Sequence, residues 1–264
     1  MAPEGIVDAG RVSHANVRAY RALNAFFDRI YVITLRRATD RHALLARALA
    51  GLRYEVFHGQ DKRDLDPADL REQGIYDDRE ARRLHRHGRG MNLGEIACAL
   101  SHAGVWRRIL EEGHERALVF EDDAVPVEGA IDLAPAALAQ LPPTWELLYL
   151  GYDRNEEVTL RPRVNRAAYV ALGALGIIRW SAKEAANLLP RPHSTNLRRA
   201  GFHDHLHAYG LTAAGARKLL EFQQPIVLAA DTAATRLVLR GRLEAYVTEP
   251  KLFLQRGGRS YIRE

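Results

Sequence analysis

Residues 117–123 read Ala-Leu-Val-Phe-Glu-Asp-Asp, a short apolar run that ends directly in three acidic side chains. Four consecutive apolar residues flanked by charge predict a β-strand that is buried on both of its faces. Strands of this kind are typical of parallel sheets, which bind ligands beyond the carboxyl ends of their strands. The stretch therefore predicts an α/β sheet with Glu121, Asp122 and Asp123 at its ligand-binding edge.

The segments around this strand continue an alternation of strands and helices. A β-branched run is followed by a helix that Thr39 and Asp40 could cap, and then by a short strand, which suits a parallel βαβ unit. The predicted elements of the first half are strands at 30–35, 54–57, 117–120 and 147–151 and helices at 41–50, 93–112 and 134–141. This order favours an α/β layer architecture.

Two regions are less regular. Residues 61–90 are polar and charged, which predicts a long connection with about one helical turn. In the second half, the pattern predicts strands at 169–172, 175–178, 208–211 and 243–247 and helices at 181–189 and 213–222, the last capped by Thr212.

The composition is that of a globular protein and excludes disordered or fibrous classes. Of the 264 residues, 47% are hydrophobic and 27% are charged, enough for one large domain with a sizeable core. The single cysteine, Cys98, cannot form an internal disulfide, and no apolar run approaches the length of a spanning helix. We therefore expect a cytosolic protein that does not cross a membrane. The net charge of +5 favours contact with phosphates, nucleic acid or an anionic membrane surface.

The acidic triplet and a group of arginines are the first candidate site residues. Carboxylate oxygens are the ligands that Mn2+ and Mg2+ prefer, and a strand end could present them to one metal; a solvated acidic turn is the alternative. Arg36, Arg37 and Arg41 follow the first strand, where guanidinium groups could bind a diphosphate. A basic surface turn remains the alternative there.

Other polar residues are weaker candidates. Residues 201–207 contain three imidazoles, which an extended chain would place on one face as in a transition-metal site, although a solvated loop fits as well. Ser101 and His102 are neighbours on a helix, so they cannot act as a nucleophile and its base, and a hydrogen-bonded core histidine is the simpler interpretation. Asp231 is either a helix N-cap or a general base. Cys98 is expected to pack in the core.

Four ordered blocks resemble glycosyltransferase family 25, which includes bacterial lipopolysaccharide and lipooligosaccharide galactosyltransferases and the collagen galactosyltransferases. The blocks are residues 30–37 with Arg41, residues 94–102 with Trp106, residues 118–124, and residues 208–212 with Gly215, Ala216 and residues 218–220. Asp231 falls where the family has a Pro-x-x-Asp-like segment, although residues 225–230 are longer and more apolar than that pattern. The insert at residues 79–89 has no counterpart in the resemblance.

The resemblance implies a GT-A-like nucleotide-sugar-binding fold with a mostly parallel central sheet flanked by helices. It implies inverting transfer of a hexose, galactose first, from a UDP-sugar to a glycan or glycolipid acceptor such as the lipopolysaccharide core, with Mn2+ (or Mg2+) as cofactor. The implied metal ligands are Asp122, Asp123 and His207, the donor contacts are Thr34, Arg36, Arg37, Arg41, Glu121, Ser101 and His102, and the candidate base is Asp231.

Under this interpretation residues 1–28 are an N-terminal extension, residues 29–255 form one catalytic domain and residues 256–264 are a tail. The nucleotide-binding half covers about 29–151 and the acceptor half about 152–255. Peripheral attachment to the inner membrane surface stays open. Two alternatives remain: a metal-dependent nucleotidyltransferase, which should carry a Gly-rich triphosphate loop, and a non-catalytic basic module that binds nucleic acid or anionic lipid through residues 79–89.

Overall fold

The computed structural model describes residues 14–85, 88–155, 160–178 and 180–257. Within these residues an eight-stranded mixed sheet is flanked by helices, and two further strands form a small sheet of their own. The predicted α/β class with a large helix-flanked central sheet is confirmed. Parts of the predicted N-terminal extension and C-terminal tail, residues 1–13 and 258–264, lie outside the described residues.

The strands and helices are numbered in chain order. The strands are β1 Arg29–Thr34, β2 Tyr54–His58, β3 Arg116–Glu121, β4 Ala124–Pro126, β5 Leu147–Asp153, β6 Arg191–Pro192, β7 Leu197–Arg199, β8 Asp204–Thr212, β9 Ala245–Thr248 and β10 Phe253–Gln255. The helices are α1 His14–Phe26, α2 Thr39–Ala48, α3 Pro67–Glu72, α4 Asp78–Leu84, α5 Leu93–Glu111, α6 Ala134–Ala139, α7 Leu160–Ala174, α8 Ala182–Ala186, α9 Ala213–Phe222 and α10 Ala230–Leu239.

The strand order β2-β1-β3-β8-β5-β9-β7-β6 determines which side chains meet at one edge. β1 is parallel to β2 and β3, with Ile33 opposite Glu121, so β1 and β3 end at the same edge. β8 runs antiparallel between β3 and β5, so its first residues lie at that edge. Phe120 pairs with Ala208, and continuing this register by one residue places Glu121 opposite His207.

Both faces of the sheet are buried, as the apolar run at 117–120 predicts. Val119 belongs to a core cluster that includes Trp106 and Tyr209, whereas Leu118 and Phe120 belong to a second cluster on the other face. Helices α5, α9 and α10 contribute to the first cluster, and α1, α2 and α6 contribute to the second. The alternation of strand residues between the two faces produces this division.

A capping box fixes the start of helix α5, the helix that carries Cys98 and His102. Asn92 accepts a hydrogen bond from the backbone of Glu95, and the Glu95 carboxylate accepts one from the backbone of Asn92, which completes a capping box. Gly113 follows the helix at a φ of 71°, a conformation that glycine adopts without strain. The prediction of a helix over residues 93–112 is therefore confirmed.

Several predicted elements are wrong. Residues 61–90 contain a 3-10 helix at Lys62–Asp64 and the helices α3 and α4, which begin at Asp66 and Asp77 caps, rather than one long connection. Residues 169–172 belong to helix α7 and residues 175–178 lie beyond its end, not in strands, because the strong helix preference of the four alanines in residues 167–174 prevails over the β-branched residues.

Smaller corrections concern helix and strand boundaries. Ala38 rather than Thr39 or Asp40 precedes α2, and Ala229 precedes α10, so Asp231 is in the first turn and is not an N-cap. The predicted helix at 181–189 shortens to α8, and the predicted strand at 243–247 is β9 at Ala245–Thr248.

Among the described residues, no helix is both long enough and apolar enough to cross a bilayer.

Candidate functional site

The carboxyl ends of β1 and β3 bring together residues from three predicted groups. The Thr34 hydroxyl donates a hydrogen bond to Asp122 Oδ2 at 2.6 Å. Arg41, in the first turn of α2, forms an ion pair with Asp122 Oδ1, and its Nη1 lies 3.4 Å from Asp123 Oδ2. The end of β1, the first turn of α2 and the end of β3 thus form one charged cluster.

Asp123 has one carboxylate oxygen without a hydrogen-bond partner in the described part of the chain. Its Oδ2 accepts a hydrogen bond from Gln255 Nε2 at 3.2 Å, and its backbone carbonyl accepts one from the Arg256 backbone at 2.8 Å. Its Oδ1 is buried and has no hydrogen-bond partner among the described residues. Burial, assisted by the charge of Glu121, raises the pKa of Asp123 to about 7 although Arg41 opposes the shift. A hard cation would satisfy this oxygen, so the site fits the implied metal.

Glu121, the last residue of β3, ends a chain of buried hydrogen bonds. Trp106 Nε1 lies 2.9 Å from the Tyr209 hydroxyl oxygen, which lies 2.9 Å from His102 Nδ1. His102 Nε2 lies 3.2 Å from Glu121 Oε1.

The chemistry of the two end groups, Glu121 and Trp106, decides which atoms donate these hydrogen bonds. An ionised carboxylate only accepts, so Nε2–H of His102 donates to Glu121. Tyr209 accepts from Trp106, so its own hydroxyl proton is assigned to the hydrogen bond with His102 Nδ1. The indole of Trp106 only donates, and Tyr209 accepts from it. Burial by itself would raise the pKa of Glu121, but the hydrogen bond from His102 and the neighbouring imidazole groups outweigh burial, so this pKa lies below its usual value.

His207 lies beside Glu121 at the start of β8. Its Nε2 is 3.3 Å from the Phe253 carbonyl oxygen and donates to it, which leaves the buried Nδ1 without a partner in the part of the chain that the structure describes. Burial lowers the pKa of His207 and favours the neutral ring, which is the form that binds metals. Gly151 permits this arrangement, because a Cβ at this position would overlap His207 Nε2.

Other predicted donor residues do not join this cluster. Arg37 forms an ion pair with Asp61, and Arg36 is exposed near the end of β2. The Ser101 hydroxyl donates to the Ala97 carbonyl at 2.7 Å and accepts from the Gln60 backbone at 2.9 Å, so it is fully used in joining α5 to the segment after β2. The three predicted arginines therefore have different surroundings: Arg41 contacts the acidic triplet, Arg37 pairs with Asp61 and Arg36 is exposed.

Asp231 and Cys98 lie close to the acidic residues. Asp231 is half-buried; its Oδ2 accepts from the His205 backbone at 3.1 Å and its Oδ1 from the Thr232 backbone at 2.6 Å. Burial raises the pKa of the Cys98 thiol well above its usual value, and the charges of Glu121, Asp231 and Asp123 add to this effect. These three carboxylates therefore lie close to one thiol.

The prediction that Cys98 packs in the core is wrong. Cys98 is partly exposed, and ligand atoms of Cys98, His102 and Glu121 lie within 4.8 Å of one another. Cys98 and His102 are one helical turn apart on α5, so both side chains lie on the face of that helix that reaches Glu121.

The three imidazoles of residues 201–207 do not converge. His203 is buried between the rings of Tyr149 and Tyr152, with ring centroids 5.6 and 4.8 Å away. His205 has a φ of 68° and its Nδ1 lies 3.2 Å from Asp153. Their chain is not extended as the transition-metal alternative requires, because His205 adopts a left-handed conformation.

Sequence reasoning missed several residues of the site. Tyr209 lies within the block at residues 208–212 but was not predicted as a site residue. A tyrosine in a buried apolar strand does predict a hydrogen-bond partner for its hydroxyl. Gln255 and Arg256 come from β10 and the residue after it, more than a hundred residues from Asp123, and no local pattern indicates them.

The basic segment at residues 79–89 is not a free cationic surface. Arg82, Arg83 and Arg89 form ion pairs with Asp78, Glu80 and Glu95, respectively. Residues 86 and 87 of this segment lie outside the described residues. Three of the four described arginines are thus paired locally, which weakens the prediction of a basic binding module.

Comparison with known protein families identifies the class to which the chain belongs. Residues 27–234 match the family model described as glycosyltransferase family 25 (LPS biosynthesis protein). The chain belongs to glycosyltransferase family 25, and the resemblance predicted from the four sequence blocks is confirmed.

Some curated relatives are named for an enzymatic activity and others are named inactive. The human protein named inactive glycosyltransferase 25 family member 3 is 28% identical over 83% of this chain and 33% of its own length. The zebrafish procollagen galactosyltransferase 1 is 28% identical over 49% of this chain and 22% of its own length. The mouse procollagen galactosyltransferase 2 is 33% identical over 49% and 21%. The chain therefore spans about a third or less of the length of these relatives.

Proposed function

We propose that this chain is a metal-dependent, inverting glycosyltransferase. It would transfer a hexose, with galactose as the leading candidate, from a UDP-sugar to a hydroxyl of a glycan acceptor. The observation that carries this proposal is the cluster at the end of β3, in which Asp122 and Asp123 meet and Asp123 Oδ1 is buried without a partner. Family membership supports glycosyl transfer in general.

Relatives support the choice of sugar and acceptor. The zebrafish and mouse relatives are named procollagen galactosyltransferases, which favours galactose. The family description names lipopolysaccharide biosynthesis, which favours a glycolipid acceptor such as the lipopolysaccharide core. A cytoplasmic location for this activity stays a prediction.

The residues proposed to hold the metal are Asp122, Asp123 and His207, the ligands that the family resemblance implies. Their ligand atoms do not all lie within 4.8 Å of one another among the described residues, so binding of one ion would draw them together. Asp123 offers a buried oxygen and His207 a buried ring nitrogen, each without a partner in the described part of the chain. Mn2+ or Mg2+ bound there would neutralise charge on the donor's diphosphate. Arg41 lies at the same place, and its planar guanidinium group can donate two parallel hydrogen bonds to phosphate oxygens.

The chain's own residues supply a base and a fixed carboxylate. The acceptor hydroxyl passes its proton to a carboxylate, its oxygen bonds to the anomeric carbon, and the bond between that carbon and UDP breaks with inversion. Asp231 is the proposed base, because two backbone N–H groups orient its half-buried carboxylate. Glu121, held by His102, is proposed to bind the donor's ribose or support the metal.

The decisive experiment compares UDP binding with and without Mn2+ by calorimetry. Family membership alone does not show that the chain turns over substrate, since the human relative is named inactive. In Asp123→Asn the fold should persist while the Mn2+-dependent part of UDP binding is lost. Glu111→Gln is the matched control, because Glu111 is an exposed acidic residue at the far end of α5.

The same titrations separate the alternatives. A nucleotidyltransferase should prefer a triphosphate, and a non-catalytic basic module should not bind UDP at all. UDP-galactose hydrolysis then reports turnover and should follow the same pattern among the variants. Equal, metal-independent UDP binding by the native chain and Asp123→Asn would contradict the proposal.

A further inference from the structure

Residues 167–178 form an uncharged segment far from the candidate site in the sequence. They read Ala-Ala-Tyr-Val-Ala-Leu-Gly-Ala-Leu-Gly-Ile-Ile, twelve residues between Arg166 and Arg179. An apolar run of this length is too short to span a bilayer and is typical of a buried core helix or of a segment at a membrane interface. The exposure of its side chains distinguishes these two cases.

One face of α7 is packed and the other is open. Val170 packs against a small cluster formed by Ala185, Leu188 and Leu239, and Gly173 lies directly against the Trp180 backbone. On the open side, Leu175 is 73% exposed, Ile177 is 65% exposed and Tyr169 is 39% exposed. The alanines exposed beside them are Ala167, Ala168, Ala171 and Ala174. The segment is therefore not a core helix, and we call Tyr169, Leu175 and Ile177 the apolar patch.

The turn that carries Leu175 and Ile177 has its backbone satisfied. Gly176, at a φ of 68°, donates to the Gly173 carbonyl at 3.2 Å, and Ile177 donates to the Leu172 carbonyl at 3.0 Å. This pair of bonds is the Schellman arrangement that closes a helix. Backbone groups that are already hydrogen-bonded can enter an apolar medium without the cost of unpaired N–H groups.

An aromatic pair lies at the patch, and basic residues flank it in the sequence. The Tyr169 ring lies edge-on to Trp180, with centroids 5.8 Å apart, and tyrosine and tryptophan are enriched where membranes meet water. From residue 160 to residue 183 the sequence has five basic residues and no acidic one. The next acidic residue, Glu184, is buried and paired with Arg240. The charge of this segment complements that of an anionic lipid surface.

We propose that the apolar patch docks onto an anionic bilayer surface, with Leu175 and Ile177 in the boundary between headgroups and acyl chains and with Tyr169 and Trp180 at headgroup level. Short amphipathic segments with a basic surround bind membranes in this way. The proposal rests on exposure and charge and not on the proposed transfer reaction, so either can fail without the other.

Vesicle sedimentation tests the docking directly. The native chain should bind vesicles of phosphatidylcholine mixed with phosphatidylglycerol, bind pure phosphatidylcholine weakly, and lose binding as salt is raised. Leu175→Ser and Ile177→Ser should each weaken binding about tenfold, because each removes a large aliphatic side chain from the lipid contact. Val17→Ser on α1 is the matched control, since Val17 is 45% exposed and lies away from the segment, and it should bind as the native chain does.

A second measurement keeps the test independent of folding. Ile177→Trp preserves an apolar side chain, and lipids with brominated acyl chains should quench its fluorescence more than that of the native chain. Val17→Trp should show no such added quenching. Absence of vesicle binding by the native chain, equal binding by Leu175→Ser, or equal quenching of both tryptophan variants would overturn the proposal. So would a dimer in light scattering that Leu175→Ser converts to a monomer, because a second copy would then occupy the patch.

Discussion

The hydroxyl of Tyr209 links the hydrophobic core to the acidic site, and removing it in Tyr209→Phe tests that link. Tyr209 is fully buried, accepts a hydrogen bond from Trp106 Nε1 and donates one to His102 Nδ1. Burial raises the pKa of Tyr209 well above its usual value, so the hydroxyl keeps the proton that it donates.

The expected cost follows from the two groups that lose their partner. Phenylalanine fills almost the same volume, so packing changes little, but Trp106 Nε1–H and His102 Nδ1 are both left buried and unpaired. Each such group costs about 1–3 kcal/mol, and we expect Tyr209→Phe to lower the free energy of unfolding by about 2–6 kcal/mol. His102 no longer has a fixed ring orientation, so Mn2+-dependent UDP binding should also weaken, by about tenfold.

Urea unfolding followed by circular dichroism, together with UDP calorimetry, measures both effects. Tyr31→Phe is the matched control, because Tyr31 loses only a hydrogen bond to Glu112, which is exposed at the opposite end of the sheet. That variant should lose about 1 kcal/mol and keep its UDP binding. The reasoning is refuted if Tyr209→Phe is as stable as the native chain and binds UDP equally well.

Two further predictions concern buried residues at the edge of the site. Burial lowers the pKa of His203 to about 4, so the unfolded chain binds more protons than the folded chain between about pH 6.5 and 4. The contribution of His203 to stability should therefore fall by about 2 kcal/mol from pH 7 to pH 5, while the raised pKa of Asp123 acts in the opposite direction. His203→Phe should remove the His203 contribution, which urea unfolding of the variant and the native chain at the two pH values measures. Gly151→Ala should lower stability by about 1–3 kcal/mol and weaken Mn2+-dependent UDP binding, because the added Cβ displaces His207. Gly257→Ala is the control, because its added Cβ meets no atom within 4 Å, and it should change neither UDP binding nor the free energy of unfolding. Native-like stability and UDP binding in Gly151→Ala would contradict the proposed link between Gly151 and His207.

Local sequence patterns determined the part of the site that lies on β1, α2 and β3. The apolar run before Glu121 predicts a buried strand, and the β-branched run before Arg36 predicts its parallel neighbour. Parallel neighbours end at the same edge, so Thr34, Arg41 and Asp122 could be expected together, and the structure places them in contact. These signals are readable because hydrophobic periodicity and strand-end position are properties of short segments.

Local patterns failed where the tertiary environment decided the outcome. An apolar, partly β-branched segment such as residues 167–178 fits a strand, a core helix or an interfacial helix equally well. The helix preference of alanine favours α7, but only the packing of one face on α8 leaves Leu175 and Ile177 exposed. Exposure is a property of the whole fold and cannot be obtained from the segment alone.

The sequence by itself therefore determined the family, the α/β class and the acidic strand end. The tertiary structure alone decided which distant groups complete the site. Antiparallel β8 brings Tyr209 to His102 across 107 residues, and β10 brings Gln255 to Asp123 across 132 residues. Contacts at such separations depend on strand order and register, which leave no periodic signal in the residues that make them.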